Sequence, residues 1–203
     1  MYKVNIMIFQ ILASLLIFTF YIIYFLKLFS LKKKGIQVNN LGKKEKKTKK
    51  IIKIEITLKI FTILMFLVEV FSIIIDDNWY YIYESPVLKI IGLILILLGD
   101  VIFFLSVYYM KTSWRVGIDE TRNDKLITNG IYRISRNPAF LGFDLTYLGL
   151  ALVFPNPIMI IFTIILIWLF DDQIMIEEEY LERKYKEEYL EYKKKTKRYF
   201  LFF

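Results

Sequence analysis

The sequence contains neither cysteine nor histidine. Their absence excludes a disulfide framework, a Cys/His zinc site, a thiolate nucleophile and any Ser-His-Asp arrangement. Only carboxylate–oxygen sites remain for a metal, and none is expected. Glycine and proline are also scarce, at 8 and 4 in 203 residues. What is abundant is apolar. Hydrophobic residues make up 57% of the chain, yet 24% is charged, so the charges must be segregated from long apolar runs. The net charge of +8 then points to an anionic membrane surface before nucleic acid.

Residues 4–26 are almost unbroken apolar sequence ending at Lys27. The run is too long for a signal-peptide core and reads as an uncleaved transmembrane helix. A second span covers 54–75, with Glu55 at one end and Glu69 inside. A third covers 87–110, carrying Lys89 and Asp100. The apolar stretch 140–170 is too long for one straight span at ~1.5 Å per residue. Pro155-Asn156-Pro157 interrupts it. Two prolines that close cannot both sit in an undistorted helix. The stretch divides into a short helix, 139–154, and a longer one from 158 to 170 and on toward Ile176, forming a tight hairpin. The expected fold is an all-α integral membrane protein with five transmembrane helices. It is a single membrane domain over 1–203, whose first part, 1–110, holds three spans and the basic loop 27–53.

Loop charge supports this count. Residues 27–53 hold eleven lysines against one acid, Glu45, whereas 76–86 hold Asp76, Asp77 and Glu84 with no base. Residues 111–138 are again basic, the Pro155–Pro157 turn is uncharged, and the tail beyond Asp171 is lysine-rich. The alternation places the N-terminus outside and the C-terminus in the cytoplasm. The stretch 32–50 has no aromatic residue, so it offers no base-stacking platform and no nucleic-acid partner is expected. It reads as a solvated, locally disordered loop drawn to anionic headgroups of membrane lipids.

Two polar segments carry more pattern than connectors need. In the first, Asn129-Gly130 signals a turn, and Asn137-Pro138 places asparagine at the N-cap and proline at the first position of the short helix. A turn and a capped helix do not account for Arg133 and Arg136 beside Tyr132, although snorkelling to lipid phosphates would. Trp114 reads as an interfacial anchor. In the second segment, Glu177 and Glu178 stand where the last span leaves the bilayer. Leu181, Tyr185, Tyr189 and Tyr192 follow at spacings of four, four and three, one face of an amphipathic helix continuing that span. Its acids are either solvated or answer a cation bound at the membrane edge.

Gly130-Ile131-Tyr132-Arg133, followed by Arg136-Asn137-Pro138-Ala139-Phe140-Leu141-Gly142, resembles the signature of the isoprenylcysteine carboxyl methyltransferases, a group allied to the phospholipid N-methyltransferases. Glu177-Glu178 with Leu181, then Tyr189 and Tyr192, is similar to their C-terminal element. The resemblance covers the C-terminal half of the chain and marks 111–203 as a methyltransferase-like, cofactor-binding half. It implies an S-adenosylmethionine-dependent enzyme whose cofactor pocket is built from a cytoplasmic loop and the C-terminal helix. Arg136, Asn137, Pro138 and Gly142 would line that pocket, Tyr132 would lie near it, and Glu177 or Glu178 would close it. Arg136 and Glu178 would carry the activity.

Three positions depart from the family pattern. Asn137 stands where histidine is usual in eukaryotic members and cannot titrate, Phe140 replaces a tyrosine, and Lys186 occupies a position where glycine is common. The implied acceptor is a lipophilic or lipidated molecule: an isoprenylcysteine-like carboxylate, a lipid amine or a hydrophobic thiol. It would enter sideways between the short fourth helix and its neighbours. Heavy Lys, Ile and Asn usage suggests a bacterial cell membrane. The alternative is a non-catalytic membrane structural or carrier protein, in which Glu69 and Asp100 would form a polar pathway.

Overall fold

The computed structural model describes residues 2–43, 47–74, 81–121 and 124–199. Six α-helices follow in order: α1 Tyr2–Lys33, α2 Lys49–Ile74, α3 Pro86–Met110, α4 Pro138–Val153, α5 Pro157–Tyr185 and α6 Glu187–Lys195. Short 3₁₀ turns at Lys111–Ser113 and Gly130–Arg133 punctuate the long segment between α3 and α4. No strand occurs among the described residues. Glu45, Asp76 and Asp77, used in the loop-charge argument, lie outside them.

Local chemistry sets the helix ends. Ser85 caps α3 by accepting from the Leu88 N–H, and Asn156 caps α5 by accepting from Met159 N–H at 2.8 Å. Each cap is followed by a proline at the first helical position, where its missing N–H costs nothing. Pro155-Asn156-Pro157 therefore ends one helix and starts the next, as expected. Beyond it, α5 runs unbroken to Tyr185, well past the bilayer end expected near Ile176.

The five-span expectation becomes four helices long and apolar enough to cross a membrane, plus the shorter apolar α4. At ~1.5 Å per residue the 16 residues of α4 reach about 24 Å, less than the ~30 Å hydrocarbon core. The bundle is inverted relative to a soluble protein. Phe18, Phe25, Ile63, Ile164 and Trp168 are exposed on its outside, whereas Glu55, Glu69, Ser106, Thr146 and Thr163 are buried within. Such a continuous apolar exterior suits lipid rather than water.

Helices α3 and α4 pack closest. A Cβ on Gly149 would lie 2.5 Å from the Gly92 carbonyl oxygen, and one on Gly99 would lie 2.7 Å from that of Gly142. The scarce glycines are spent on backbone-to-backbone approach, the usual device for helix pairs in lipid. Tyr21 of α1 donates to Glu69 of α2 at 2.6 Å, and Asn156 donates to Ser72 of α2 at 2.9 Å. Glu69 is thus helix–helix glue. Asp100 is buried, and neither carboxylate oxygen is hydrogen-bonded among the described residues.

Three expectations are corrected. The lysine-rich loop is not simply solvated and disordered: Val38 is buried, Asn40 N–H donates to Val116 O at 2.9 Å, and Val116 N–H donates to Val38 O at 3.0 Å. Its apolar and turn-forming residues, 36–42, supply what the lysines cannot. Trp114 is no interfacial anchor. It is 3% exposed and packs edge-on against Tyr24 and Phe103. Finally, the tyrosine-bearing helix is two helices, broken at Lys186, which has φ +49. The residue after Tyr185 must adopt a conformation that glycine tolerates and lysine resists.

Two outcomes follow from these contacts. Gly149→Leu should lower stability by about 3 kcal/mol, because the backbone of α3 cannot yield to a side chain; thermal unfolding in detergent, with lipid-facing Leu148→Val as an unaffected control, measures it. Lys186→Gly should raise stability by about 1 kcal/mol, a rise of roughly 2–4 °C in Tm.

Candidate functional site

Tyrosine hydroxyls bring the long segment before α4 onto α5 and α6. Tyr180 donates to Asp119 O at 2.7 Å, Tyr185 to Asp124 O at 2.6 Å, and Tyr192 to Tyr132 O at 2.6 Å. Each satisfies a main-chain carbonyl that no regular element pairs. Burial pushes the phenols of Tyr132, Tyr189 and Tyr192 above their ordinary range, so all three are neutral at physiological pH. Gly130, with φ +60, turns the chain against the ring of Tyr109 just before Tyr132.

Beneath these contacts lies a buried carboxylate, Glu178. Arg136 donates Nε to Oε1 at 3.1 Å and Nη2 to Oε2 at 3.2 Å, a two-pronged geometry. Asn137 Nδ2 donates to Oε1 at 2.9 Å and Arg198 Nη2 to Oε2 at 3.3 Å. Asn137 therefore holds the N-cap position of α4 without capping through its side chain, which is committed to Glu178 instead. Arg136 Nη1 also donates to Thr196 O. The chain end is stitched alongside by Arg136 N–H to Lys197 O at 2.9 Å and Ser135 Oγ to Arg198 O at 2.9 Å.

A cavity of about 530 Å³ opens above this cluster. Tyr132, Arg136, Asn137, Pro138 and Glu177 line it, whereas Glu178 and Gly142 do not. Glu178 sits behind Arg136 and Asn137, and Gly142 is spent on the α3–α4 contact. Adjacent on α5, the two acids have separate surroundings. Glu177 faces the cavity and accepts from Gln173 Nε2 at 2.8 Å. Gln173, Glu177, Tyr180 and Lys184 all line the cavity. They recur at spacings of four, three and four, so this stripe was legible as one face of a helix. Trp114, Arg115 and Asp119 also line it and carry no local pattern that sequence reasoning could have used. Arg115 is held by Asp119 and Asp124, its ion-pair partners.

The cavity has two characters. Charged groups gather at the end formed by the inter-helix segment and α5, while Phe20, Phe66, Phe103, Phe143 and Phe170 line the part inside the bundle. An apolar groove of about 970 Å³ along α1 shares Tyr21, Phe25 and Phe66 with it. The groove and the cavity thus adjoin on the α1 side, while glycine contacts close the α3 side of α4.

The sequence has relatives among known proteins. The phospholipid methyltransferase family model matches residues 87–188, which is half of the chain. A protein-S-isoprenylcysteine O-methyltransferase of Saccharomyces cerevisiae is 30% identical over 139 residues, covering 67% of this chain and 58% of that protein. A probable protein-S-isoprenylcysteine O-methyltransferase of Oryza sativa subsp. japonica is 33% identical over 109 residues, 52% and 57% of the two chains. Protein-S-isoprenylcysteine O-methyltransferase B of Arabidopsis thaliana is 31% identical over 104 residues, 50% and 53%. The chain spans a little over half the length of these relatives. Arg136, Asn137, Pro138, Glu177 and Glu178 all fall inside the matched region, and the chain belongs to the phospholipid methyltransferase family.

Proposed function

We propose that this chain is an integral membrane methyltransferase that uses S-adenosylmethionine to methylate a lipophilic acceptor. The observation that carries the reading is the single cavity with a charged end and an aromatic, apolar end that meets the lipid-facing surface. A soluble, charged cofactor and a membrane-dissolved acceptor need that combination. In this reading α4 crosses as a short fifth span, the N-terminus lies outside, and the loop and C-terminal helices face the cytoplasm. Exposed Lys32, Lys33, Lys34, Lys49 and Lys50 then lie at the inner surface, where anionic headgroups would attract them.

The lining fits the cofactor. When bound, S-adenosylmethionine supplies an electrophilic methyl group on a sulfonium. Asp119 and Glu177 suit its ammonium and ribose hydroxyls, and Arg115 and Arg136 suit its carboxylate. The faces of Trp114, Tyr180 and Tyr185 suit a base and a cationic sulfur. Gln173 Oε1 is buried on this wall with no hydrogen-bond partner among the described residues. Glu178 touches none of these groups in our assignment. It is a positioning residue that holds Arg136 and Asn137 in place. Asn137 donates and accepts hydrogen bonds without titrating, so the site works by orientation and exclusion of water. Acceptors that depend on strong base assistance are disfavoured, which leaves a lipid amine, a hydrophobic thiol or an already ionised carboxylate. The carrier alternative loses its motive at Glu69, whose carboxylate is engaged by Tyr21.

Purified protein should bind S-adenosylhomocysteine in calorimetry. Incubation with methyl-labelled cofactor and total lipid extract should move label into the organic phase; absence of binding, or label only in water-soluble acceptors, refutes the reading. The two acids should separate in a mutant comparison. Glu177→Gln should weaken cofactor binding at least about tenfold, or about 1.4 kcal/mol, with thermal unfolding little changed. Glu178→Ala should weaken binding and also cost about 3–5 kcal/mol of stability, because it strands the buried Arg136.

A further inference from the structure

Glu55 stands on α2, outside the region 87–188 that the family match covers. In sequence it is only an acid at the edge of an apolar run. In the fold it is fully buried, and both of its oxygens are used. Oε1 accepts the Ile118 N–H at 3.0 Å, and Oε2 accepts the Gly42 N–H at 2.8 Å. Lys47 Nζ reaches Oε1 and Oε2 at 2.9 and 2.8 Å and also donates to Asn40 O at 2.7 Å. One carboxylate therefore joins α2 to Gly42 and Lys47 of the preceding loop and to Ile118 of the segment before α4.

That loop and that segment both supply cavity wall. Leu41, Gly117 and Ile118 line the cavity beside Arg115 and Asp119. Tyr180 holds the next turn at Asp119 O, and Ile118 packs on Ile51 and Ile176, but neither pairs the backbone of Gly117-Ile118. The wall's regular pairing is the isolated bridge of Asn39 with Val116, and Gly117 follows with φ +82. A buried ion pair is a poor source of stability, since an apolar pair of similar volume commonly does as well. What an apolar pair cannot do is accept the two main-chain N–H groups.

We infer that Glu55 is a positioning residue for the charged end of the cavity: its carboxylate, neutralised by Lys47, clasps the backbone of Gly42 and Ile118 and so fixes the wall at Gly117-Ile118. What the wall binds rests on the methyltransferase reading above, whereas the clasp does not. The N-terminal half then contributes to the site through a residue that touches no ligand.

Two double variants separate a backbone clasp from a space-filling pair. Lys47→Met with Glu55→Gln removes both charges but keeps a side-chain oxygen for the Ile118 N–H. Lys47→Met with Glu55→Leu removes the charges and every acceptor. Two quantities are measured in detergent or lipid: amide hydrogen exchange at Val116 and Ile118, and the Kd for S-adenosylhomocysteine. The glutamine pair keeps one acceptor, for Ile118, and leaves the Gly42 N–H unpaired, so its Ile118 exchange should stay within about threefold of the parent and its Kd should fall between those of the parent and the leucine pair. The leucine pair should exchange at least tenfold faster at Ile118 and bind at least tenfold more weakly, with α-helical content retained by circular dichroism. The inference is overturned if the leucine pair protects Ile118 and binds as the parent does, or if Ile118 exchanges as fast in the glutamine pair as in the leucine pair. Should the leucine pair not insert, the charge-swapped pair Lys47→Glu with Glu55→Lys takes its place: loss of Ile118 protection supports the clasp, and full protection overturns it. If the parent itself binds no S-adenosylhomocysteine, the methyltransferase reading falls, and exchange at Ile118 still decides the clasp.

Discussion

A carboxylate removed from water has to find its hydrogen bonds inside the protein, and around Glu178 that requirement organises the whole polar end of the molecule. Its two oxygens draw in Arg136 and Asn137 from the start of α4 and Arg198 from the chain end. Arg136 then reaches on to Thr196 O, and the 135–136 backbone pairs with Lys197. Segments some 40 to 60 positions apart in sequence are thereby fixed together. The cavity is the space left in front of this cluster, so its shape depends on an acid that does not line it.

The second organising demand comes from the surroundings of the helices. A lipid-facing exterior provides no hydrophobic drive between helices, so contact relies on close packing and internal polar pairs. Four glycines let α3 and α4 meet backbone to backbone, and Tyr21–Glu69 and Asn156–Ser72 tie the outer helices to their neighbours. Tight packing on one side of the bundle leaves the α1–α2 side looser, and there the apolar groove adjoins the cavity.

The polar segments were partly legible before any coordinates. Asn137-Pro138 and Pro155-Asn156-Pro157 were readable as helix boundaries because proline and its preceding cap act locally. The tyrosine spacing was readable as a helix face, although Lys186 divides that helix in two. Glu177 and Glu178 could be singled out together but not told apart: consecutive residues on a helix point about 100° apart, and sequence does not say which direction faces the cavity. Trp114 was misassigned because the same ring suits a membrane interface and a buried wall. Lys47 was hidden among ten other lysines of its loop, since nothing local marks the one that meets Glu55.

The sequence by itself determined that the chain is helical, that apolar runs alternate with basic and non-basic loops, and that prolines start α4 and α5. Those properties follow from hydropathy, capping and proline geometry, all of which act within a few residues. Only the tertiary structure decided that α4 packs backbone to backbone on α3, that Glu178 holds Arg136 and Asn137 while Glu177 faces the cavity, and that Glu55 reaches Ile118 across 63 positions of chain. Each of these depends on which distant groups meet when buried charges and N–H groups must be satisfied without water, a constraint that no local pattern records.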